Sequence, residues 1–173
     1  MTGDGKLRRF ALAVYAEADV APACLTLQER FGVDVNVVLF AAYVGAVGRR
    51  RLDDAELDGA HAAIGEWHDE VVRPLRSVRR RLKSGPSPAP NPATAELRRR
   101  IQKAEIDAEL VELDELDALT GPAVPTTDSD PTDLAAGNVG LVVARASTGP
   151  LAQDERDAAE VIAAAAARHA ERG

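Results

Sequence analysis

Val33-Asp-Val-Asn-Val-Val-Leu-Phe-Ala-Ala-Tyr-Val-Gly-Ala-Val47 is the stretch on which the fold turns. Its first five residues alternate β-branched and polar side chains, as a half-buried strand would. The apolar run then continues through Leu39, Phe40, Ala41, Ala42, Tyr43 and Val44, beyond the length of an ordinary strand. Its length and all-round apolar character predict instead a helix over 35–47, capped by Asp34, in the middle of a core. Such a helix needs helical neighbours on several sides.

The flanking sequence supplies them. Leu7, Phe10, Ala11 and Val14 step by three, one and three, the stripe of an amphipathic helix reaching about Ala18. Asp19 can cap a second helix, with Pro22 in its first turn, a face of Cys24, Leu25, Gln28 and Phe31, and Gly32 as a left-handed C-cap. Asp53 or Asp54 caps a helix through about Gly65. From Trp67, Val71, Leu75, Val78 and Leu82 form a narrow seam of coiled-coil spacing. Pro74 inside it requires a kink or a restart.

Four prolines in nine residues make 84–92 a linker. Beyond it, Leu97, Ile101, Ala104, Ala108 and Val111 form a second seam, and Ile106, Leu110 and Leu113 a third on a neighbouring face. A helix from 93 to 119 would span about 39 Å at 1.5 Å per residue. The short linker favours an antiparallel hairpin over 67–119. The expected architecture is therefore all-α: a small bundle over 5–119 containing that hairpin, a linker at 120–130, and a looser helical tail over 131–173. Within the tail, 138–146 reads as either helix or strand.

Charge is distributed unevenly. Between Arg73 and Lys103 lie ten of the 21 basic residues and one of the 28 acidic ones, so this window is net +9 and the remainder −16. In the expected hairpin, Arg73, Arg76, Arg80 and Lys83 share the tip with Arg98, Arg99, Arg100 and Lys103, while the acidic half of the second helix runs back beside 59–71. A local field opposed to the global one suits an acidic protein or another anion. Arg73, Arg76, Arg80, Lys83 and Arg99 are the candidate contacts. The competing account is a solvated face whose arginines pair locally.

Gln28 and Asn36 are amides on apolar segments, and buried amides require partners. They either bond within the core or, with Asp34, Arg73 and Arg76, wall a small-molecule pocket. Nucleic-acid binding is less favoured, because no aromatic residues interleave the basic rows. Catalytic residues are not assigned, and a non-enzymatic interaction protein is the expectation. No metal or cofactor is expected: His61 and His68 read as surface side chains, and a zinc site needs three or four converging ligands. Asp34 reads as a cap. Cys24, the single cysteine, rules out an internal disulfide and reads as a buried inert thiol. No apolar run reaches 18 residues and no signal peptide is evident, so a cytoplasmic protein without a membrane span is expected. Two apolar seams on the 93–119 helix also allow a homodimer.

The ordered blocks Phe10-Ala-Leu-Ala-Val-Tyr15, Ala23-Cys-Leu-x-Leu-Gln28, Gly32-Val-Asp-Val-Asn-Val-Val-Leu-Phe40 and Trp67 to Lys83 resemble an uncharacterised proteobacterial family of small proteins, catalogued as a domain of unknown function. The resemblance spans about residues 7–113. Tyr43 departs from it, standing where the family has tryptophan, and little matches past Gly121. It implies a bacterial, cytosolic, helical protein and carries no activity.

Overall fold

Asp34 settles the helix-or-strand question. Its backbone is extended and its carboxylate accepts a hydrogen bond from the Asn36 N–H at 2.7 Å, so the chain enters a helix within two residues. The computed structural model describes residues 5–122 and 129–170, in which every regular element is helical. These elements are α1 (Lys6–Tyr15), α2 (Val20–Phe31), α3 (Val35–Ala46), α4 (Asp54–Trp67), a π turn (His68–Val72), α5 (Arg73–Arg81), α6 (Pro92–Asp117), α7 (Pro131–Ala146) and α8 (Gln153–Ala170). Most of the expected 120–130 linker and the end of the expected tail, including Arg172, lie outside the described residues.

Every residue of α3 from Asn36 to Ala46 is buried, as its uninterrupted apolar pattern predicts. It packs against α1, α6, α7 and α8, and its Tyr43 ring meets the Phe10 ring edge-on at 5.0 Å. The α1 stripe of Leu7, Phe10, Ala11 and Val14 is buried as expected. That helix starts without a side-chain cap of its own. Asp117, at the end of α6, instead accepts from the Gly5 and Leu7 N–H groups at 3.0 and 2.8 Å.

Gly32 ends α2 at φ +67°, the left-handed conformation expected of it. Asp19 stands at the N-cap position of that helix but makes no side-chain cap bond. The buried face of α2 is Val20, Ala23, Cys24 and Leu27, and Leu25 is exposed. The expected face was therefore rotated about one residue toward solvent. Asp53 caps α4 in a reciprocal capping box with Glu56.

Helix α7 lies against α3 at backbone contact distance. A Cβ on Gly45 would stand 2.5 Å from the Ala135 backbone nitrogen, so only glycine permits this approach. Asn138, also from α7, accepts from the Leu52 N–H at 2.9 Å and donates to the Ala41 and Arg50 carbonyls. It thereby satisfies the backbone of the turn between α3 and α4. Residues 138–146 are helical, and α7 and α8 share one apolar core with α3. The segment expected as a looser tail is part of that core.

The chain is helical from 54 to 81, so the restart expected as one alternative at Pro74 does not occur. Pro74 has no N–H to return to the preceding turn. A π turn just before it accommodates the loss, with the Arg73 N–H bonded to the His68 carbonyl five residues back.

Candidate functional site

The expected helical hairpin forms, but charged residues fill its seam. Arg76 donates to Glu105 at 2.9 Å and to Glu109 at 2.6 Å, and Arg79 also donates to Glu105. Trp67 Nε1 donates to the Ala108 carbonyl at 3.0 Å, one step further along the antiparallel pair. The residues α6 buries are Glu105, Ala108, Glu112, Leu113, Leu116 and Asp117. Val78, Leu97, Ile106 and Val111, taken from the sequence as seam residues, are each at least 40% exposed. The basic row of α5 thus meets the acidic row of α6 rather than gathering wholly at a shared tip. Burial raises the Glu105 carboxyl, but Arg79 and Arg76 outweigh it and hold it below the ordinary range.

At the root of this seam lies a second polar cluster. His68 opens the π turn, Asp34 caps α3, and Glu112 lies on α6 with its side chain only 1% exposed. His68 Nδ1 hydrogen-bonds Glu112 Oε1 at 2.9 Å. Asp34 Oδ2 is 2.7 Å from the same nitrogen in ionic contact, without a properly aligned hydrogen bond. Asn36 donates to Glu112 Oε2 at 2.7 Å and to the Glu109 carbonyl at 3.0 Å. The two carboxylates, Asp34 first and Glu112 second, push the His68 imidazole up to about 10, so it is an imidazolium at neutral pH. The expectation of a surface His68 is corrected: the ring is a half-buried bridge between three elements. His61 remains exposed.

Two clefts flank this region. One, about 1280 Å³, runs between α2, the α4–α5 rod and α7, with Asp34 and His68 among its lining residues. Five arginines (Arg73, Arg76, Arg80, Arg81 and Arg145) and three carboxylates (Glu29, Asp34 and Asp69) line it. The other, about 610 Å³, lies between α1, α2 and α6 and is lined by Leu12, Tyr15, Leu25, Asn36, Ile106 and Glu112, among others. Gln28, Asp34, Arg76 and Arg80 border both.

Of the residues singled out from the sequence, Gln28, Asn36, Arg73, Arg76 and Arg80 converge on these clefts. Lys83 and Arg99 do not line either one. Arg73 pairs with Asp69 at 2.9 Å, and Arg99 pairs with Glu96 of its own helix. Asn36 is satisfied in place, whereas the Gln28 side chain has no hydrogen bond among the described residues. The Cys24 thiol is buried and pushed up to about 12 by desolvation, in keeping with an inert role.

The sequence reading missed the His68–Glu112 pairing. Its signal was the acidic stripe Glu105, Glu109, Glu112, spaced by four and three, opposite His68, Arg76 and Arg79. No curated protein and no solved structure matches the chain. No single helix among the described residues is long and apolar enough to cross a membrane. Residues 6–116, which hold α1 through nearly all of α6 and every residue of the Asp34–His68–Glu112 cluster, match the family described as "Protein of unknown function (DUF2390)", and the chain belongs to that family.

Proposed function

We propose that the protein is a non-enzymatic interaction module that holds an acidic segment of a partner protein in the larger cleft. The observation carrying this reading is the division of labour along α5. Arg76 and Arg79 are neutralised inward by Glu105 and Glu109, whereas Arg80 and Arg81, on the cleft wall, have no carboxylate partner among the described residues. Guanidinium groups left without internal partners bind external carboxylates bidentately. Arg73 and Arg145 on the same wall are paired with Asp69 and with Asp54 and Asp58, so the positive charge the cleft offers is that of Arg80 and Arg81, within a chain that is net −7 overall. An opposed local field of this kind speeds encounter with an anionic partner.

The test is charge reversal at Arg80 and Arg81. In a crosslinking pull-down, Arg80→Glu with Arg81→Glu abolishes partner recovery, while Lys83→Ala and Arg99→Ala, outside the cleft, change it less than about twofold. Recovery that survives the double reversal overturns the reading. Binding also weakens with added salt, because Arg80 and Arg81 are exposed.

A second reading, a small carboxylate or phosphate ester in the same cleft, is favoured by the Gln28 amide and the His68 imidazolium, both of which line it. Small-molecule binding displaced by free phosphate, with no protein recovered, would select that reading.

A further inference from the structure

We propose that Asp34, His68 and Glu112 form a binding site for one first-row divalent transition ion, with Zn2+ bound more tightly than Mn2+. One donor atom from each residue lies within 4.8 Å of the others. One imidazole nitrogen and two carboxylate oxygens suit zinc and its neighbours, which take such ligands at about 2.0–2.2 Å. Donors sharing an ion at those lengths sit roughly 3–4 Å apart. The present 2.7 and 2.9 Å separations from Nδ1 therefore need to open by only a fraction of an ångström.

The surrounding bonds prepare the site. Asp34 Oδ1 is tethered by the Asn36 N–H, and Glu112 Oε2 by the Asn36 side-chain amide. One residue thus fixes both carboxylates, and each presents its other oxygen to His68 Nδ1. Asp34 Oδ2 is buried and, among the described residues, has the His68 ring as its one polar neighbour, at 2.7 Å, so an ion seated there would replace a single contact. Without a metal, a proton on Nδ1 sits between the two carboxylates and leaves the cluster net −1. A divalent ion replacing that proton gives two carboxylates, a neutral imidazole and net zero, the better charge balance for a site where Glu112 is nearly inaccessible. Asp34 and His68 line the larger cleft, so an ion can enter from there and keep open positions toward it. A π turn beginning at His68 fits this assignment, because such turns concentrate at functional positions. The site's residues are independent of the Arg80–Arg81 wall.

Isothermal titration of ZnCl2 and MnCl2 into the chelator-stripped full chain tests the proposal. One Zn2+ binds per chain, more tightly than Mn2+. His68→Ala and Asp34→Asn each weaken Zn2+ at least tenfold, and Asn36→Ala weakens it up to roughly tenfold through loss of the side-chain tether on Glu112, the backbone tether on Asp34 being kept. Circular dichroism melts establish that His68→Ala, Asp34→Asn, Asn36→Ala and Glu112→Gln fold before each is titrated. Reversing Arg80 and Arg81 does not weaken Zn2+, which separates failure of the ion site from failure of the cleft. No binding at millimolar Zn2+, or binding that both His68→Ala and Asp34→Asn leave within twofold, would each overturn the proposal, leaving a structural ion triad.

Discussion

His68 makes stability depend on pH in a direction that its free side chain would not. Its folded-state value is about 10 against 6.5 for an unperturbed imidazole, so the folded protein holds the proton more tightly than the unfolded chain. The contact therefore contributes fully below pH 6.5, and the contribution disappears as pH rises toward 10. For chelator-stripped protein, urea unfolding at pH 6, 8 and 10 gives a steeper loss of stability in the wild type than in His68→Ala; parallel curves would show that the triad contributes nothing. Arg49, between α3 and α4, stands at φ +57°, where a side chain crowds its own backbone. Arg49→Gly relieves that crowding and is neutral or stabilising by up to about 1 kcal/mol in the same assay. Neither property was legible in the sequence. His68 reads as one more polar residue until Asp34 and Glu112, 34 and 44 positions away, are brought to it.

Between elements, the decisive contacts are a close approach and a charged seam. Gly45→Ala drives a methyl group into the α7 backbone and costs about 2–3 kcal/mol, because the atoms it meets cannot move aside as a flexible side chain would. A fall in melting temperature checks this. Glu105→Ala strands Arg79 and leaves Arg76 with Glu109 alone, the two side chains being only 21% and 18% exposed, and costs about 2–4 kcal/mol with the hairpin loosened. A loss no larger than that of an exposed carboxylate such as Glu115→Ala would show that the pairs are solvated. Local spacing announced the helices themselves: the α1 stripe, the Gly32 terminus, the Asp34 cap and the proline-rich break all fall where periodicity and turn chemistry put them. It misled about faces. Apolar residues at coiled-coil spacing are taken to point inward, yet in this hairpin the complementary charges of α5 and α6 occupy the shared face and leave Val78, Leu97 and Ile106 in water. Periodicity identifies a stripe, and only the partner decides which stripe is covered.

For the whole molecule, α3 ties the family segment to the rest of the chain. Val139, Val142 and Val143 of α7 and Ile162, Ala163 and Ala166 of α8 belong to the same buried cluster as Val37, Phe40 and Val44. A chain ended at Asp130 exposes one side of a helix that has no polar face, and it loses the sharp cooperative thermal transition seen by circular dichroism; a retained transition would make 131–170 a true appendage. Sequence alone determined the helical class, the central position of 35–46 and the concentration of positive charge, because each depends on local spacing, composition or count. Tertiary structure alone decided that α7 and α8 complete the core, that two of the five α5 arginines are spent on Glu105 and Glu109, and that Asp34, His68 and Glu112 meet. The physical reason is the same in each case. A charged or amphipathic side chain is stable either in water or against a complementary group, and which of the two it finds depends on residues far away in the chain.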